Sequence, residues 1–338
     1  MKICICGGGN VAHAMAACAA TKGIDVNILT RKPREWAQKL VYSRWDGKRG
    51  IARLGTISSE PALAVGKCDY IFIVLPRFAV EEVYNSIADY IHPEQNIVIV
   101  PGNAELVDCQ FNERWNRGRL AGLSRVPYIS RTISYGHEVE VKGCRAFNKL
   151  WAASKETWEQ VARDLHKMFE ASIQPLSSPL PFLLSNSNPL LHPSRLLTLF
   201  PVYSTDIIYA RNPLFYEEWP LEAACLYLQA DNELQRICHS CPELVPGLDF
   251  CPIGEYYAAP TPHRLMQKLR GIEAFKGIRS PMIRLSNGTW VPDLSSRYFT
   301  EDIPYGTRLI KNYALIKGID TPIIDYFLAW HQQFPTIV

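Results

Sequence analysis

Along the first hundred positions, dense apolar runs of strand length alternate with stretches of helical spacing. Lys2 to Cys6 (KICIC) is one such run, and Gly7, Gly8 and Gly9 end it abruptly. Asn10 to Lys22 changes character: Ala12, Ala14, Ala16, Ala17, Ala19 and Ala20 are small, strong helix formers, and Gly23 is a natural C-terminal stop. Ile24 to Leu29 resumes a strand pattern. Strand, glycine turn, helix and strand in direct succession predict one βαβ unit, with parallel strands and a right-handed crossover. Asp69 to Pro76 (DYIFIVLP) and Asn96 to Val100 read as further parallel strands covered on both faces. Between them Val80, Val83, Tyr84, Ile87 and Ile91 recur at helical spacing.

Residues 126–135, 138–142 and 146–153 read as shorter strands and 155–170 as a helix, which predicts a Rossmann-type sheet completed near residue 175. Gln174 to Pro193 then carries five prolines among serines and asparagines, a stretch that suits a boundary. Beyond it the strand signal disappears, and 195–199, 220–239, 262–275 and 305–316 read as helices. The expected fold class is α/β: an N-terminal Rossmann dinucleotide-binding domain over 1–180 and a mainly α-helical domain over 181–338. That pairing implies a substrate cleft between the two.

Composition narrows the setting. At 47% hydrophobic and 20% charged residues, the 338-residue chain is neither disordered nor a solvated tail. Its net charge of +3 is too small to argue for nucleic acid or an anionic membrane as main partner. No apolar run reaches the ~18 residues that span a bilayer, and the opening residues lack the form of a signal peptide, so a cytoplasmic setting is expected. Ten scattered cysteines fit reduced thiols. The CxxC at Cys238–Cys241 lacks a second ligand pair, so no metal is expected.

The first glycines carry the clearest chemistry. Gly7-x-Gly9-x-x-Ala12 is a dinucleotide fingerprint: Gly7 permits the tight turn, Gly9 lets the backbone approach a pyrophosphate, and Ala12 lets helix and strand pack closely. Gly7, Gly9, Asn10, Val11 and Ala12 are the predicted cofactor loop, a purely structural glycine turn being the alternative. At the end of the second strand, where an NAD enzyme places a carboxylate, the chain reads Thr30, Arg31, Lys32. Two cations there suit a 2′-phosphate, so NADP(H) is the expected cofactor with NAD(H) second; a solvated basic turn is the bland reading. Ligands of such sheets bind beyond the carboxyl ends of the strands, which places Leu75, Pro76 and Asn103 near the nicotinamide half unless they are ordinary turn residues.

Two segments of the second half stand out. One is Asn188-Pro-Leu-Leu-His192-Pro193, whose histidine reads either as acid/base or as a buried structural residue. The other runs from Ser296 to Gly306 and packs Arg297, Glu301 and Asp302 among aromatics; Asp302 alone reads equally as the N-cap of a helix starting near Tyr305. Together with the fingerprint, with Asp231-x-Glu233 and with Gly318-Ile-Asp-Thr-Pro322-x-x-Asp325, these segments resemble the opine dehydrogenases of the octopine/nopaline type. The resemblance spans essentially the whole chain. It implies NAD(P)H-dependent reductive condensation of an α-keto acid such as pyruvate with the amino group of an amino acid. By the same resemblance His192 is the acid/base, Asp302 the carboxylate paired with it, and Arg297 the holder of a substrate carboxylate. The implied partners are these small molecules, with a homodimer compatible. A simple 2-keto or 3-hydroxy acid reductase and a non-catalytic NADP(H) sensor are the competing readings.

Overall fold

Strand β1 (Lys2–Cys6) sends Ile3 and Ile5 to one face and Cys4 and Cys6 to the other, and all four are fully buried. This is the two-sided burial expected of a central parallel strand. The computed structural model describes residues 1–102, 106, 117–170, 172–204 and 206–335. The chain divides into two units, Met1–Phe182 and Leu183–Val338.

In the first unit β1 is followed by helix α1 (Asn10–Ala20) and strand β2 (Asp25–Leu29), which pairs with β1 in parallel. Two hairpin strands, β3 (Lys39–Arg44) and β4 (Arg49–Arg53), precede the short β5 (Ile57–Ser58). After helix α2 (Pro61–Val65) come β6 (Tyr70–Ile73), helix α3 (Arg77–Ile87) and β7 (Asn96–Ile99). Strands β8 (Arg119–Leu123), β9 (Tyr128–Ser134), β10 (Glu138–Cys144), β11 (Phe147–Ala152) and β12 (Ser172–Pro175) complete the unit, with helix Lys155–Phe169 before the last. The main sheet runs β12-β11-β8-β7-β6-β1-β2-β5. Its pairs are parallel except β8 with β11. From β1 the chain winds outward to β5, then crosses back to β6, so the winding reverses between β1 and β6. In doubly wound sheets a ligand lies at the carboxyl ends of strands at such a switch.

The expectation that 126–135 and 138–142 would extend this sheet is corrected. Strands β9 and β10 join β3 and β4 in a separate sheet of order β4-β3-β10-β9. Val139 and Val141 are fully buried, Glu140 between them is half-buried and Glu138 and Lys142 on either side are exposed, the alternation of a sheet covered on one face. The covered face lies on α1. That helix is buried from Ala12 to Ala19, between the main sheet on one side and the second sheet on the other. The run of alanines therefore meets a steric demand as well as a helical propensity, because a helix covered all round tolerates only small side chains at close approach.

In the second unit helices Asn188–Leu199, Leu221–His239, Pro262–Arg270, Arg308–Ile316 and Pro322–His331 pack around an aromatic interior that includes Trp219, Tyr227, Phe215 and Phe327. Two sequence expectations shift here. The helix expected from Arg195 begins at Asn188 and contains Pro193. A proline there cannot donate to the carbonyl four residues earlier, and Thr307 Oγ1 supplies the missing donor to Pro189 O at 2.5 Å. The helix expected from Tyr305 is preceded by a π-helical segment, Tyr298–Thr307, which includes Pro304. Gly306 has no side chain because a Cβ there would lie 2.5 Å from Pro189 Cγ. Among the described residues no helix is long and apolar enough to cross a membrane.

Candidate active site

The first cluster of functional side chains surrounds the glycine turn. Gly7 has φ +143°, and a Cβ there would lie 2.4 Å from Val74 O, just past the end of β6 across the switch point. Nothing lies within 4 Å of a Cβ built on Gly9, so the backbone is open at that residue. Gly9 is also the N-cap of α1 and provides no side-chain cap, so the first backbone N–H groups of the helix face that open space. Ala12 is fully buried and Val11 packs against the core. An open backbone at a helix N-terminus, beside the switch point, fits the pyrophosphate of a dinucleotide. In the bound state Gly7, Gly9, Val11 and the helix N-terminus would hold it, and the group would supply hydride chemistry.

The Asn10 side chain is committed elsewhere, its Oδ1 accepting from Thr132 N at 2.9 Å, while the Asn10 backbone carbonyl accepts from Ser130 Oγ at 3.0 Å. Thr30 closes β2 and is nearly buried, its Oγ1 lying 3.5 Å from the Tyr135 hydroxyl. Arg31 is exposed, and Lys32 Nζ pairs with Glu35 Oε1 at 3.1 Å. Leu75 and Pro76 follow β6 at the carboxyl edge, with Pro76 capping α3. Asn103 lies outside the described residues.

Sequence reasoning missed His13. Its ring is fully buried, stacked on Trp36 with centroids 4.1 Å apart. Gly136 N donates to Nε2 at 2.8 Å, so the ring proton sits on Nδ1, which donates to Gly9 O at 2.9 Å. Burial holds His13 below the ordinary histidine value. The available signal was its position four residues after Gly9 on a helix of buried alanines.

The second cluster lies wholly in the helical unit. His192 is 4% exposed and Asp302 5%. His192 Nδ1 lies 2.7 Å from Asp302 Oδ2. A carboxylate only accepts, so Nδ1 carries the proton and Nε2 is the basic nitrogen of the neutral ring. Nε2 lies 3.3 Å from the Tyr216 hydroxyl. Tyr298 stands edge-on to the imidazole at 4.2 Å and Phe215 at 5.7 Å, forming an aromatic wall around it. The reading of Asp302 as a helix N-cap is thereby corrected: its carboxylate serves the imidazole 110 positions earlier.

Arg297 opens the π-helical segment with its side chain 64% exposed, and its Nε pairs with Glu301 Oε2 at 3.5 Å. Its charge still reaches the site, since it pulls down the phenols of Tyr216 and Tyr298 against the burial that pushes both up. The structure thus brings His192 and Asp302 together and leaves Arg297 at the rim of the same segment. Arg195 reaches Phe215 O with Nε at 3.0 Å, and burial lowers its guanidinium to about 10.

The remaining acidic motifs are structural. Glu233 accepts from Ile323 N at 2.8 Å and Ile324 N at 3.0 Å, capping helix Pro322–His331. Asp231 accepts from Ile253 N at 3.0 Å, and Asp325 pairs with Lys311. Cys238 and Cys241 are buried thiols, burial pushing Cys238 up to about 12. Among the described residues no cluster of three or more His, Cys, Asp or Glu could hold a metal.

Two family models match the chain. Residues 2–103 match the coenzyme F420-dependent NADP oxidoreductases, and residues 175–334 the alpha-helical domain of the NAD/NADP octopine/nopaline dehydrogenases. Octopine dehydrogenase of Mizuhopecten yessoensis is 24% identical, over 98% of this chain and 90% of its own length. The solved octopine dehydrogenase with NADH and L-arginine superposes with a TM-score of 0.83 at 24% identity, covering 98% of this chain and 89% of that one. The NADP+-bound yersinopine dehydrogenase gives 0.72 at 15% identity, covering 98% and 90%. Likenesses at such identity are likenesses of fold. The two models divide the chain as the glycine turn and the His192 cluster do: residues 175–334 match the octopine/nopaline dehydrogenase helical domain, behind an NADP-oxidoreductase-type domain over 2–103.

Proposed function

We propose that the protein condenses the amino group of an amino acid with an α-keto acid and reduces the resulting imine with NAD(P)H. The observation that carries this reading is the buried His192–Asp302 pair at 2.7 Å. Making an imine from a ketone requires a proton on the departing oxygen as water leaves, and an imidazole suits a proton that must go on and come off near neutral pH. With Nδ1 bound to Asp302, the proton moves at Nε2. An imidazolium in so dry a place is costly without a countercharge, and Asp302 provides one. Bound at the glycine turn, NAD(P)H would supply the hydride.

Arg297 is the candidate for the substrate α-carboxylate. A guanidinium fork matches a carboxylate with two parallel hydrogen bonds, and exchanging the long Glu301 contact for such a pair is favourable. Thr30, Arg31 and Lys32 are the candidates for a 2′-phosphate, with NADPH the preferred reductant.

The test follows NADPH absorbance with pyruvate alone and then with pyruvate plus each amino acid, arginine first. Oxidation only when both are present supports the condensation. Oxidation with keto acid alone would convert the reading to a simple reductase, and no turnover with any pair to a nucleotide sensor.

A further inference from the structure

His192 has two ring nitrogens, and the catalytic reading accounts for one partner only. The second, Tyr216, comes from a segment held in place from several sides. Phe215 N donates to Ile278 O at 2.7 Å, and Phe215 O accepts from Arg195, three residues after His192 on the same helix. The Tyr216 ring is stacked on Phe275 at 4.0 Å and on Trp219 at 5.9 Å. Little freedom remains except rotation of the hydroxyl about its C–O bond. That hydroxyl stands 3.3 Å from Nε2, the nitrogen at which a proton must arrive and leave.

We infer that Tyr216 is a positioning residue for His192, its hydroxyl donating to Nε2 of the neutral ring and, turned about the C–O bond, accepting from Nε2–H of the imidazolium. This rests on the acid/base reading of His192. The chemistry of the partner is what matters. A backbone N–H can only donate and a carboxylate can only accept, so either would favour one protonation state of a buried ring. A hydroxyl does both. Burial pushes the Tyr216 phenol up, which keeps it a neutral hydroxyl throughout. The other groups facing the site are Asp302, Tyr298 and Arg297 of the π-helical segment, Tyr257 beside Tyr216, and Arg195. Asp302 fixes the ring from Nδ1, while Tyr216 keeps Nε2 satisfied until substrate takes its place.

The experiment is 15N NMR of the full-length protein labelled at histidine, comparing wild type, Tyr216→Phe and Tyr298→Phe. In wild type the His192 Nε2 resonance should carry the upfield displacement of a lone pair that accepts a hydrogen bond. Tyr216→Phe should remove that displacement and lower kcat about tenfold, the worth of one hydrogen bond, with the cofactor Kd unchanged. Tyr298→Phe should leave Nε2 where it is. An Nε2 resonance unmoved by Tyr216→Phe, or moved equally by Tyr298→Phe, overturns the inference. If Tyr216→Phe does not fold, 3-fluorotyrosine placed at position 216 keeps the ring and strengthens the donor, so Nε2 must move further upfield; an unmoved resonance is equally fatal. The resonance is read without substrate, so its outcome is separate from that of the amino-acid screen.

Discussion

Two buried histidines, one in each unit, show how partners decide what an imidazole can do. His13 and His192 both carry their proton on Nδ1, both are shut away from water, and both sit against aromatic rings. His13 gives its proton to a backbone carbonyl and receives a backbone N–H, two neutral partners of fixed sense. A second proton on Nε2 would face the Gly136 N–H directly. The ring is thereby held neutral, and its service is to tie the glycine turn to the β9–β10 turn. His192 gives its proton to a carboxylate and meets a hydroxyl that can turn. It can take up a proton without losing either partner. Depth of burial does not distinguish these two histidines; the carboxylate and the rotatable hydroxyl beside His192 do.

The largest expected effect tests the chemical side. His192→Ala should lower turnover by at least about a hundredfold while the NADPH Kd, measured calorimetrically, stays as in wild type. Turnover retained within a few-fold would remove His192 from the reaction.

On the structural side, His13→Ala leaves the buried Gly136 N–H without its acceptor and opens a cavity beside Trp36. A stability loss of about 2–4 kcal/mol is expected in denaturant unfolding. The pH dependence has a definite sign. The folded-state value of His13 is lowered by burial, so between the unfolded value of about 6.5 and the lower folded one the unfolded chain binds the extra proton. Its contribution to stability is complete above that window and is lost as pH falls through it. His331 is shifted the same way by burial and adds to the slope. The variant should flatten the dependence between about pH 7 and pH 5; a slope identical to wild type would count against a neutral, locked His13.

Replacing Arg31 and Lys32 together by neutral residues should erase an NADPH preference of roughly tenfold to a hundredfold, with NADH binding little changed. A preference that survives would place selectivity elsewhere around the turn. The smallest effect is expected at Thr307→Val, which returns Pro189 O to the orphaned state that Pro193 imposes. It should cost about 1 kcal/mol of stability, leaving the cofactor Kd untouched.

Much of the first unit was legible because its signals are local. The run KICIC, the glycines, the alanines of α1 and the apolar strands at 70–73 and 96–99 each report on their own backbone conformation within a few residues. The second sheet was not legible as a sheet. Strands β3 and β4 alternate weakly, and β10, which joins β3 and brings β9 with it, pairs Glu138 with the distant Val41, so only the folded chain reveals which of two sheets those later strands extend. The same limit applies to the helical unit. Pro193 left the His192 segment in a proline-rich boundary stretch ahead of the expected helix, since the hydroxyl that completes its first turns comes from Thr307.

By itself, then, the sequence determined the parallel nucleotide-binding architecture and the kinds of side chain available for chemistry. Both depend on propensity, periodicity and residue type, which act over one or two turns of chain. Tertiary structure alone decided which imidazole meets a carboxylate, which meets only peptide groups, and which phenol reaches Nε2 of His192. Hydrogen bonds act over about 3 Å, and the residues that make these come from segments far apart along the chain.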